Sequence, residues 1–223
     1  MRARRSGILA APALVCHAVG SISMILKSQA YKMSFATGGL MVNDSVDVAR
    51  LHAPGEAWDD TLSRALAKGV TSLPKAASRR RTLREIVNRL SCLAEEERLF
   101  LVEHAERDEQ AALLWVATCR AYRFVREYVC EVVSERHLSG RLDLPLETFD
   151  HHLQMKAEWN AGLAAIAPTT ARKLRQILFR MMREAGVIDQ GRRILTANLS
   201  ASLRTLLRRT APADLAVFPG AAL

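Results

Sequence analysis

From Ser34 onward the apolar residues of this chain recur at three- and four-residue spacing, in runs several turns long that glycine, proline or paired polar residues interrupt. That is a helical period, so the expected fold is mainly α. Asn43 heads a run ending at Leu51, after which Pro54-Gly55 breaks the chain. Glu56 to Lys68 reads as a second helix closed by Gly69, and Ser78 to Leu90 as a third. In the third, Leu83, Ile86, Val87 and Leu90 form the inward stripe, and Arg79, Arg80, Arg81, Arg84 and Arg89 are expected to point to solvent. Glu95 to His104 follows, then Asp108 to His137, which is long, rich in Leu, Val, Trp and Tyr, and stopped by Ser139-Gly140. It is expected to form the hydrophobic centre.

The region after residue 140 has a different plan. Leu146 to Trp159 reads as an amphipathic helix, Asn160-Ala161-Gly162 breaks it, and a short turn ends at Pro168. Thr169 and Thr170 then cap a helix to Ala185 whose Leu174, Ile177, Leu178, Met181 and Ala185 share one side. Arg172, Lys173, Gln176, Arg180 and Arg183 take the other, and Arg175 adds to the basic count. Phe179 falls awkwardly beside the basic face. Gly186 suits a C-cap, and Val187-Ile188, Asp189-Gln190-Gly191 and Arg192 to Thr196 read as strand, turn and strand. A helix, a turn, a helix with a basic front and a β-hairpin together outline a winged helix. The expected organisation is an extension over residues 1–30, a helical domain over 31–140, a winged-helix-like domain over 141–209 and a tail over 210–223.

Charge narrows the function. The chain carries a formal +9 over 223 residues, mostly as arginine, while 49% hydrophobic and 25% charged residues describe an ordinary globular protein. Residues 169–209 hold ten bases against Glu184 and Asp189, and residues 79–90 hold five arginines against Glu85. Residues 91–150 are acidic, with thirteen acids against seven bases. Clustered guanidinium of this kind is what a phosphate backbone selects, and it argues against cationic substrates. Phosphate contacts are therefore expected from Arg79, Arg80, Arg81, Arg84, Arg192 and Arg193, with Arg172, Lys173, Gln176 and Arg180 entering a groove and Arg175 and Arg183 counted with them as DNA-binding.

Catalytic signatures are absent: the chain has no GxxxxGK[ST], GxGxxG, GxSxG or HExxH. His151-His152 reads as a surface pair, and Glu95-Glu96-Glu97 as acids favoured at a helix start. The four cysteines make no CxxC pair and are read as reduced core thiols of a cytoplasmic protein. No enzyme activity, cofactor or metal is expected. Residues 1–30 have a basic start and an interrupted apolar stretch, open to two readings: a weak export signal, or a disordered or over-extended start. A membrane anchor ranks below both, since the clean apolar run falls short of about 20 residues.

The run from Tyr31 to Ser45, with Gly38-Gly39 at its centre, resembles the opening of the BrxA family, small helical components of BREX bacteriophage-exclusion systems. The run Thr169 to Leu178, continuing through Glu184 to Ile188, resembles that family's second signature, and the similarity spans roughly residues 31 to 205. The resemblance implies a helical fold, DNA binding and a part in phage defence, with other BREX proteins as partners. An RNA-binding, antiterminator-like module and a protein scaffold without nucleic acid are the alternative functions.

Overall fold

Residues 30–71 and 73–221 are described in the computed structural model, and the extension expected over residues 1–30 lies, save for Ala30, outside them. The centre is α5, Arg107–Ala121, in which every residue from Ala111 to Cys119 is buried. A helix apolar on all sides has to be enclosed, and the surrounding elements do this. Helices α1 (Val42–Leu51), α2 (Trp58–Lys68), α3 (Ala76–Leu90) and α4 (Glu95–Glu103) precede it; α1, α3 and α4 pack directly on α5, and α2 packs on α1 and α3.

The long helix expected from Asp108 to His137 is divided. Tyr122 leaves helical geometry at φ −129° and ψ 96°, and the chain resumes as α6 (Arg123–Tyr128), a π-turn (Val129–Val133) and α7 (Ser134–Leu138). The break lets the Tyr122 hydroxyl donate to Glu85 at 2.5 Å while its ring meets Phe35 edge-on. Helical periodicity continues across the break, which is why the local pattern does not reveal it.

Arg89 also differs from expectation. It is 1% exposed, donates Nε to Glu85 at 2.6 Å and Nη1 to the Gly39 carbonyl at 2.8 Å. A buried guanidinium needs such partners; Glu85 stands one turn back on α3, and the Gly39 carbonyl arrives only when residues 31–41 fold over the helix. Asn43 does not cap α1; Met41, at φ 55°, precedes the helix, and Asn43 accepts from Arg107 instead.

Beyond α7 come α8 (Glu147–Ala157), a single turn α9 (Ala161–Ala164) capped by Asn160, and α10 (Pro168–Glu184). Pro168 occupies the first turn of α10, where its missing N–H costs nothing, so Thr169 and Thr170 lie inside the helix instead of capping it. Gly186, at φ 68°, ends α10: its N–H reaches the Arg183 carbonyl at 3.1 Å, and the Val187 N–H reaches that of Met182 at 2.9 Å. The expected β-hairpin is reduced to one isolated bridge, Ile188 with Ile194, while Arg193 also bridges Asp143, ahead of α8. A residue with positive φ, Arg192, follows the turn at once and cuts the pairing short.

Helix α11 (Ala201–Thr210), capped by Ser200, leads into a 3-10 turn, Pro212–Val217. This last turn is locked to the centre: Trp115 Nε1 donates to the Val217 carbonyl at 3.1 Å, and Arg120 bridges Asp214 at 2.7 Å and Glu97 at 2.6 Å. Buried residues from Phe35 to Ala221 form one connected apolar cluster. No helix among the described residues is long and apolar enough to cross a membrane.

Candidate nucleic-acid interface

Helix α10 sorts its side chains cleanly. Leu174, Leu178, Phe179, Met181 and Met182 are buried, so the position of Phe179 that looked awkward in the sequence belongs to the core, where its ring approaches Tyr128. The inward face is wider than a stripe centred on Leu178. Opposite it, Arg172, Lys173, Gln176 and Arg180 are exposed and Arg183 is half-exposed, all within about 100° of the helix circumference. Among the described residues no carboxylate pairs with Arg172, Lys173 or Arg183. Arg180 donates to Glu184 at 2.7 Å but keeps more than half its surface in solvent.

Arg175 is placed differently. It lies at the edge of the buried face and pairs with Asp150 of α8, an ion pair that fixes the angle between the two helices. Its charge is paired at the surface with that carboxylate. The loop after α10 presents Arg192 and Arg193, both exposed and without an acidic partner among the described residues. Asp189 organises this loop, since Oδ1 accepts the Arg193 N–H at 2.8 Å and its carbonyl accepts the Arg192 N–H at 3.1 Å. Arg192 sits at φ 65°, a left-handed conformation costing a non-glycine residue on the order of 1 kcal/mol.

The second basic cluster lies on α3. Arg80, Arg81 and Arg84 are exposed, and Arg79 is half-buried with Nη1 at 3.5 Å from the Leu73 carbonyl. Arg80, Arg81 and Arg84 form one wall of a groove of about 600 Å³ whose other wall is Lys32, Ser34 and Thr37. Sequence reasoning missed the second wall, because its residues join the arginines only through the fold. It also missed Trp159, which is 81% exposed at the corner between α8 and α9, although an aromatic residue beside a helix-breaking Asn-Ala-Gly is a signal that could have been read.

The two basic clusters are joined by residues 31–40. Glu184, in the last turn of α10, accepts the Leu40 N–H at 2.5 Å, and Gly39 packs so closely on that carboxylate that a Cβ there would collide with it. The glycine pair read as backbone geometry thus has a defined neighbour.

Among the described residues no group of three or more His, Cys, Asp or Glu side chains is placed to hold a metal ion. His152, expected at the surface, is 3% exposed and meets the rings of Phe124 and Tyr128 edge-on, and burial together with nearby Lys156 lowers its pKa to about 4. Its side of α8 faces the core, which the unbroken polar pair His151-His152 conceals. Cys92, Cys119 and Cys130 are free thiols, and burial pushes all three upward in pKa.

The BrxA family model matches residues 29–211. Among solved structures, the chain is similar to an uncharacterized protein from Magnetospirillum magneticum, with 21% sequence identity, a TM-score of 0.71, and coverage of 83% of this chain and 96% of that one. That likeness concerns the fold. No curated protein matches.

Proposed function

This chain belongs to the BrxA family, and from that premise we propose that it is a non-catalytic, double-stranded DNA-binding component of a BREX phage-defence system, acting in the cytoplasm. The observation that carries this reading is the front of α10, where Arg172, Lys173, Gln176 and Arg183 stand exposed or half-exposed without ion pairs, over a core that holds the helix rigidly. A helix whose cations are left uncompensated is suited to a polyanion, and its width fits the major groove of B-form DNA. Helices α8 and α10 act as a helix-turn-helix, α10 is the recognition helix, and the Asp189 to Arg193 loop serves as a short wing whose arginines hold phosphates. Residues 141–209 are the DNA-reading unit, residues 31–140 the helical body and residues 210–223 the tail. The exposed groups favour backbone over base contacts, so sequence preference is weak.

The test is a competition among duplex DNA, duplex RNA and single-stranded RNA, with a salt titration of the preferred ligand. Counterion release makes log affinity fall with log salt by about 0.9 per phosphate neutralised. Duplex DNA should win with a steep slope. Preference for RNA would install the antiterminator-like function, and failure of all three at low salt would leave a scaffold that docks other BREX proteins.

A further inference from the structure

The groove on α3 and the front of α10 are neighbours in space, although some ninety residues separate them in sequence. Leu40 and Gly39 rest on Glu184, which also holds Arg180 of the α10 front. Thr37, two residues before Gly39, already lines the groove, and two residues of chain span at most about 7 Å. Within the groove Arg80, Arg81 and Arg84 have no acidic partner among the described residues. Its one carboxylate, Glu85, is buried and occupied by Arg89 and the Tyr122 hydroxyl. Lys32 closes the far wall by donating to Asn88.

We propose that this groove continues the DNA path begun on α10, so that one duplex lies across both: α10 in a groove of the duplex, and Arg80, Arg81 and Arg84 on the phosphates further along. This rests on the DNA-binding reading above and adds a length requirement to it. The α10 front from Arg172 to Arg183 extends about 17 Å, roughly five base pairs, so a duplex must run past its end to meet the α3 arginines. A short duplex therefore draws less on the α3 arginines, whereas a long one engages both surfaces fully.

The experiment uses the full chain, a GC-rich duplex of about 10 bp and one of about 24 bp, with affinity measured over a salt series. In the R80Q/R81Q/R84Q variant the long duplex should bind about tenfold or more weakly, with a salt slope shallower by about 2 to 3, while the short duplex loses clearly less. The R80K/R81K/R84K variant should restore both affinity and slope, and thermal unfolding of each variant confirms that it is folded. A wild-type slope for the glutamine variant on the long duplex overturns the proposal. So does an equal loss on both lengths, which would place the arginines at the α10 contact itself. If wild type binds neither duplex, the DNA reading falls and this proposal falls with it. If binding is lost on changing Arg172 and Gln176 but unaffected by the α3 changes, only the extended path falls.

Discussion

The Glu184 carboxylate accepts the Leu40 backbone N–H at 2.5 Å across 144 residues of chain. The second oxygen holds Arg180 Nε at 2.7 Å, so one side chain both ends the basic front of α10 and fastens residues 38–40 to it. Gly39 is the residue that permits so close an approach. Its backbone is not in the left-handed region, so what demands glycine here is space alone.

Gly39→Ala should therefore destabilise the protein by about 1 to 3 kcal/mol through overpacking against Glu184. In a Glu184→Ala background the same change should cost much less. Urea unfolding of the four members of this cycle measures the coupling, and additive effects would mean that the close approach has no energetic weight.

On α10, replacing Arg172 and Gln176 with alanine removes exposed groups and leaves Leu174, Leu178 and Met181 in place. Stability should move by no more than about 0.5 kcal/mol, while duplex affinity falls and any base preference relaxes. Arg192→Ala with Arg193→Ala should weaken binding evenly across sequences and flatten the salt slope by about 1 per lost phosphate contact. Leu178→Asp should abolish binding by unfolding the region, since it buries a charge. Circular dichroism with DNA titration separates the three outcomes; folded arginine variants that bind like wild type would show ordinary solvated surface.

Arg120 links three elements through Glu97 and Asp214. Burial acts to raise the Glu97 carboxyl, but Arg120, Thr210 and the Ala94 N–H together hold it below the usual glutamate value. A depressed carboxylate contributes stability above its unfolded pKa of about 4.3 and loses it as pH falls through the folded value. Arg120→Met strands Glu97 in the interior and should cost about 3 to 5 kcal/mol at pH 7. The deficit should shrink below about pH 5, as the stranded carboxyl takes up a proton. Denaturant melts at pH 7 and pH 4.5 test this; a gap independent of pH would assign the loss to packing.

His152 acts in a separate window. Its folded pKa of about 4 lies below the unfolded 6.5, so the unfolded chain takes the proton first and stability declines as pH falls between those values. The ceiling on that decline is about 3 kcal/mol. His152→Phe, which suits a site beside the rings of Phe124 and Tyr128, should remove this slope and shift stability at neutral pH by less than about 1.5 kcal/mol. An unchanged slope between pH 6.5 and pH 4 would exonerate His152.

The helices were legible in the sequence because their spacing is local, and the amphipathic register of α10 already set Arg172 and Gln176 apart from Leu174 and Leu178. What escaped was set by distant partners. Arg89 looked solvent-facing because the Gly39 carbonyl that buries it lies 50 residues earlier. Glu97 is the helix-start acid the sequence suggests, accepting the Ala94 N–H, but its full burial against Arg120 and Thr210 depends on partners 23 and 113 residues away. The break at Tyr122 is set by Glu85, 37 residues away, while the chain around it keeps its apolar period. Within the candidate interface the arginines were readable, but the wall formed by Lys32, Ser34 and Thr37 exists only after residues 31–40 cross α3.

The lock between Glu97, Arg120 and Asp214 also has a tempo. A ribosome makes Glu97 and Arg120 well before it makes Asp214, and at ordinary elongation rates the interval from Glu97 to Asp214 is on the order of ten seconds. For most of that time Glu97 lacks Thr210 and Arg120 lacks Asp214, and the Trp115 indole N–H still awaits the Val217 carbonyl. A chaperone that recognises buried aromatic surface would find Trp115 reachable before Val217 emerges and hidden afterwards, making the arrival of residues 214–217 the moment at which the protein passes from client to finished product.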